Sequence, residues 1–228
     1  MDEERRAFAA QFKEIVSCAD RQDTAALEVV EQLQRLHGMV ERAQALETLT
    51  TSDTGNSKGD EEEEQEEQAA VPEDALTCLR KFPNLEQRLR LCHARSAEAQ
   101  HARITTAWDK VVEALNDMVR VEADIQASFT QLCKEHSVSE MEERGTAHAS
   151  VAEFVMGAQD VTAYTRTVVH TNQQLLDNIR ASQRSVASIE KATDEWATLP
   201  PQCVTTMRAL SFDPSTVIFR ISELDDIL

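Results

Sequence analysis

Apolar residues recur at alternating steps of three and four along most of the chain. Phe8, Phe12, Ile15 and Val16 open a first apolar face, and Ala26, Val29, Leu33, Leu36, Val40 and Ala43 continue it as a heptad stripe. The pattern predicts a helix from about Glu3 to Thr48, modestly weakened at Gly38. A second series runs through Ile104, Trp108, Val111, Leu115, Met118, Ile125, Phe129 and Leu132, interrupted by Glu122 and ending at His136. Leu85, Leu89 and Cys92 precede it on one face, and the phase slips through a small, polar patch at Ser96–Arg103. A helix from about Asn84 to Glu135 would be about 75 Å long. A rod of that length needs partner helices along it. A third series, from Val151 through Phe154, Ala158, Val161, Val168, Leu175, Ile179, Val186 and Ile189 to Trp196, predicts a helix from about Ala149 to Ala197. Thr165, Asn172, Ser182 and Thr193 fall on that stripe, where polar residues fix register and choice of partner.

The interruptions are equally patterned. Phe82-Pro83-Asn84 forces the chain out of helix and then starts a new one. A short helix is expected at Pro72–Lys81, before that break. The stretch from His136 to Ser150 reads as a polar turn, and Pro200-Pro201 ends the third helix. Asp213-Pro214 fits an N-cap and first helical residue. Val217, Ile221, Leu224 and Leu228 then share one face, so a short terminal helix is expected, packed on its own bundle or docked on a partner. The expected fold is all-α: long antiparallel helices in a coiled-coil-like bundle. It divides into an N-terminal helical segment (1–49), an acidic linker (50–72), a long helical hairpin (73–200) and a C-terminal tail (201–228).

Composition sharpens this picture. Gly and Pro number five each in 228 residues and aromatics are 4 %, which suits long helices with few turns. Net charge is -18. Between Thr50 and Pro72 stand eight acids against one lysine, Lys58, with almost nothing to bury. That segment is expected to be a disordered loop. Ser57, followed by Asp60 and glutamates, resembles an acidophilic kinase site. No basic face is visible, which argues against direct nucleic-acid binding. No apolar run is long enough to cross a bilayer, and the charged N-terminus lacks a signal-peptide core. A soluble protein of the cytoplasm and nucleus is expected.

Candidate chemistry is sparse. The sequence contains no G-x-x-x-x-G-K-[ST], G-x-G-x-x-G or G-x-S-x-G element. Cys18, Cys78, Cys92, Cys133 and Cys203 are widely spaced, which fits reduced, packed thiols. Cys133-x-x-His136 places two metal-ligand types one turn apart, but no second pair matches it. No enzyme activity, cofactor or metal site is expected.

Two blocks carry a resemblance. "ALTCLRKFPNLEQRLR" (75–90) resembles the Phe-Pro-(Asp/Asn)-Leu stretch of the AIRIM ribosome maturation factors. Ser150, Val151, Ala152, Gln159, Asp160 and Tyr164 are similar to a second segment of that family, and "ATLPPQC" to its Leu-Pro exit. The acidic insertion and "TRTVVHTNQQ", where a basic aromatic run is expected, depart from the pattern. The resemblance implies a non-enzymatic adaptor. Such an adaptor binds a second helical subunit of the CINP kind and a hexameric AAA+ ATPase, in maturation of large-ribosomal-subunit precursors and chromatin- and replication-linked protein unfolding. A structural coiled-coil subunit of a tethering or kinetochore-like complex, without an ATPase, is the alternative. In either, a hetero-oligomer is expected, with Phe82, Leu85, Leu89, Trp108, Ile221, Leu224 and Leu228 as candidate interface anchors.

Overall fold

The computed structural model describes residues 2–51, 84–144, 149–182 and 185–211. Among these residues every regular element is a helix: α1 (Asp2–Thr51), α2 (Leu85–Leu132), α3 (Val138–Glu142), α4 (Val151–Ala181), α5 (Val186–Asp194) and α6 (Pro201–Ser211). The acidic stretch beyond Thr51, the short helix expected at Pro72–Lys81, Phe82, and the terminal helix carrying Ile221, Leu224 and Leu228 lie outside the described residues.

The first two stripes become α1 and α2, which pack antiparallel along most of their length. Charged pairs show the register: Arg21 meets Asp117 at 3.0 Å and Glu28 meets Lys110 at 2.8 Å. Glycine costs a helix about 1 kcal/mol relative to alanine, yet α1 runs through Gly38 without a break.

α4 lies parallel to α1 and antiparallel to α2. Two core regions result. At one end Phe8, Phe12 and Ile15 of α1 meet Met118 and Ile125 of α2 and Phe154 and Val161 of α4. The Phe12 and Phe154 rings are 5.9 Å apart. At the other end Val29, Leu33 and Leu36 meet Ile104 and Val111, with Leu175, Leu176 and Ile179.

The third series is not one helix. α4 stops at Ala181, and α5 begins after Ser185, whose hydroxyl accepts the Ser188 N–H at 3.2 Å as an N-cap. α5 then folds back along α4, so Ile189 and Ala192 face the same core as Leu175 and Ile179. A reversal that keeps facing one core preserves the apolar rhythm, which is why the stripe alone reads as continuous.

Two further helices correct the expectation. Within the expected polar turn, Ser137 and Glu140 form a reciprocal capping box that starts α3, and Met141 is buried. The third series ends at Asp194, ahead of Pro200-Pro201, and Pro201 opens a further helix, α6, as proline at the first helical position permits. α6 returns toward the start of α4. There Gly157 lets it come close: a Cβ at this position would overlap Leu210 Cδ1 and sit 3.2 Å from Phe12 Cε2. α5 and α6 together act as a broken fourth column against α1 and α4.

The polar seam residues are satisfied. The Thr165 hydroxyl donates to the Val161 carbonyl at 2.8 Å. Asn172 Nδ2 donates to the Ala197 carbonyl at 3.0 Å, and the Ala197 N–H donates to Asn172 Oδ1 at 2.8 Å. That pair fixes the irregular link between α5 and α6. None of the described helices is long and apolar enough to cross a membrane.

Candidate partner-binding site

α1 and α2 are longer than the columns that cover them. α4 ends at the level of Leu33 and Leu36, where Leu176 and Ile179 close the core. At this level Gln100 Nε2 donates to the Gln32 carbonyl at 2.9 Å and to Gln32 Oε1 at 2.7 Å, both glutamines being buried. Beyond the pair, α1 runs on for nineteen residues to Thr51, and α2 extends back fifteen residues to Leu85. The result is a two-helix arm about 20 Å long.

Among the described residues, the arm keeps the spacing of the core but lacks its cover. On α1, Leu33 and Leu36 are buried, while Val40, Ala43 and Leu46 are half-exposed. On α2, Trp108 and Ile104 are buried, while Ala97 is half-exposed and Ala94 exposed. Arg90, Ala94, Ala97, His101, Ile104 and Trp108 step by four and three, so they form one stripe that leaves the interior and emerges on the arm. A groove of about 240 Å³ lies between the two helices, lined by Val40, Ala43, Leu46, Ala94 and Ala97 together with the polar Glu47, Arg90 and His93. The alanines leave room for a third helix to approach closely.

The predicted anchors separate by place. Leu85 and Leu89 lie on the arm, both half-exposed. Trp108 is interior: it is 5 % exposed, and its ring stands edge-on to Trp196 with centroids 6.0 Å apart. Phe82, Ile221, Leu224 and Leu228 are not among the described residues. Ser211, where the described chain ends, lies at the opposite end of the bundle from the arm, because Leu210 approaches Gly157 and Phe12. The groove residues Ala94 and Ala97 were hidden in the sequence by the phase slip at Ser96–Arg103. The stripe running back from Trp108 through Ala94 was the signal that would have revealed them.

Other polar groups are used in packing. Cys133 Sγ contacts Met141 Sδ at 3.9 Å, and His136 Nδ1 lies 3.7 Å from Glu140, so the two face different neighbours. Burial pushes the Cys203 thiol up to about 11, with Asp160 and Asp23 adding to the shift. Such a thiol is a packing group and not a nucleophile at neutral pH. Burial and the nearby Asp20 also raise Asp23. Among the described residues, no group of three or more His, Cys, Asp or Glu is arranged to hold a metal ion. A larger groove of about 480 Å³ between α1 and α2, near Ser17, Thr24 and Glu113, is spanned by the Arg21–Asp117 and Glu28–Lys110 pairs.

A search of curated proteins finds no match to this chain. A family model does match, over residues 2–210, and it describes ribosome biogenesis proteins of the C1orf109-like kind. That match takes in every described helix but the last residue of α6, so the chain belongs to the C1orf109-like family of ribosome biogenesis proteins.

Proposed function

We propose that the chain is a non-enzymatic adaptor in ribosome biogenesis. It binds a second helical subunit of the CINP kind along the two-helix arm and holds that pair on a hexameric AAA+ ATPase, which performs the chemistry. The setting is maturation of large-ribosomal-subunit precursors and unfolding of proteins on chromatin at replication, in the cytoplasm and nucleus. Family membership supports the ribosomal setting, and the AIRIM resemblance supplies the ATPase and the second subunit.

The observation that carries the reading is a seam that no other described helix covers. Val40, Ala43, Leu46, Leu89 and Ala97 prolong the spacing of a packed core into solvent. A helix is the element that completes such a seam, since the same stripes take α4 and α5 further along. Apolar side chains entering the groove would supply most of the binding energy.

The test is affinity purification of the full chain from cells at native salt, followed by mass spectrometry. The reading expects a hexameric AAA+ ATPase and a small helical protein in stoichiometric amounts. Recovery of a helical partner without any AAA+ ATPase would favour the tethering-complex alternative.

A further inference from the structure

Gln22 stands on the buried stripe of α1, between Ala19 and Ala26 in the same rhythm of three and four. The rest of that stripe is apolar from Phe8 to Leu36, and Gln22 falls where the two core regions part. Its side chain is buried, the residue being 1 % exposed, and its Oε1 has no hydrogen-bond partner among the described residues. An unpaired buried acceptor weakens a fold, whereas an apolar side chain at the same place would not.

Gln22 lines a cleft of about 170 Å³ between α1 and the link that joins α5 to α6. Ala26, Leu27, Leu199 and Val204 give the cleft apolar walls, Trp196 gives an aromatic one, and the exposed Asp23 is its charged group. Two features set it apart from the grooves between α1 and α2. It holds a second buried polar atom without a partner, Trp196 Nε1, and no such atom lines either groove. It also carries Leu27, at 70 % the most exposed large apolar side chain among the described residues.

The charge around the cleft is of one sign. Among the described residues no basic side chain lines it. Burial and the nearby Asp20 raise the Asp23 carboxyl, and Asp160 and Asp23 both act on Cys203, the neighbour of Val204. A cation entering here would relieve that crowding, and the net charge of -18 draws a basic chain toward it.

We propose that this cleft receives an arginine side chain from a basic segment of a partner protein. The guanidinium donates to Gln22 Oε1 and to the Asp23 carboxylate, and its stem lies along Leu27 and Trp196. A backbone carbonyl of the same segment accepts the Trp196 N–H. The volume suits one large side chain. Arginine suits it better than lysine, because a planar fork reaches two acceptors at once and stacks on an aromatic face. The chain's own tail fits less well: residues 212–228 carry one basic residue, Arg220, against four acids. The cleft is separate from the groove on the arm, so this contact does not depend on the helical subunit proposed above.

The experiment titrates the full chain with the end-blocked peptide Gly-Ser-Leu-Arg-Leu-Ser-Gly and follows the Trp196 indole N–H by NMR, its signal identified by its loss in Trp196→Phe. The expected result is a saturable shift that weakens as salt is raised. Gln22→Met should lower affinity about tenfold or more, and Asp23→Asn several-fold. Asp23→Asn should melt like the native chain, since its side chain is exposed, and Gln22→Met should melt no lower, since it removes an unpaired acceptor. Ala94→Arg, on the arm, should bind the peptide as the native chain does. Any of four results would overturn the proposal: no saturable shift with the arginine peptide; equal or tighter binding when glutamine, tyrosine or leucine replaces the arginine of the peptide; unchanged affinity in Gln22→Met or in Asp23→Asn; or a tenfold gain in affinity on deleting residues 212–228, which would make the chain's own tail the occupant.

Discussion

Asn172 holds the α5–α6 link by meeting the Ala197 backbone from both sides. Replacing it with alanine leaves a part-buried N–H and C=O unpaired, at about 1–3 kcal/mol for each group left unsatisfied. Asn172→Ala should therefore lower the urea midpoint with the denaturant slope unchanged. Glu153 makes a different prediction. The Arg144 guanidinium holds its carboxyl below the usual range; partial burial opposes this, and the Ser150 N–H and hydroxyl assist it. A lowered pKa contributes stability above the unfolded value that is lost as pH falls through the folded value. The native chain's advantage over Glu153→Gln should be full above the ordinary carboxylate range and be lost as acidification carries the pH below that range, through the lowered folded value. Melting curves of both proteins across that range check the sign. Gly157 is a site of close approach. Gly157→Ala should push Leu210 aside and loosen α6, seen as faster amide exchange in Pro201–Ser211 with α1 and α2 unchanged.

Elements show where a sequence's spacing carries information and where it does not. The stripes through Leu33 and Leu36, and through Trp108 and Val111, each settle one long helix, since one face is buried along a single direction. The stripe through Ile179, Val186 and Ile189 gives faces without direction, so it conceals the reversal between α4 and α5. Local capping chemistry carries what the stripe lacks. Ser137 with Glu140, and Ser150 with Glu153, are each spaced for a capping box, and Ser185 caps without a glutamate. Ser185→Ala should cost about 1 kcal/mol, detectable as a small fall in melting temperature and earlier exchange in Val186–Asp194. α6 was the least legible element. Its apolar groups, Cys203, Met207 and Leu210, are few, and its place depends on the absence of a side chain at Gly157, a contact distant in sequence.

At the scale of the whole molecule, the bundle is a support for an arm. Two core regions hold α1 and α2 in register, and the Gln32–Gln100 pair marks where that support stops. Leu85 and Leu89 on the arm were legible as the start of an apolar face, whereas the alanines beside them were not, because small residues leave a weak stripe. The interior position of Trp108 follows from its meeting with Trp196, which no spacing within α2 reveals. The acidic linker supplies no core residue by composition. Deleting Ser52–Gln68 should leave the melting temperature nearly unaltered, since loop length changes closure entropy only slowly.

The most direct measurement compares partner recovery between the native chain and Ala94→Arg, expressed at equal levels and purified at native salt. Ala94 is exposed on a helix, so the variant should fold and melt like the native protein while its longer side chain fills the groove. Co-purification of the helical subunit should fall by about tenfold or more, as expected when a central contact of an interface is blocked, and the AAA+ ATPase should fall with it. Equal recovery of both proteins by the native chain and Ala94→Arg would contradict the arm as the place where the partner binds.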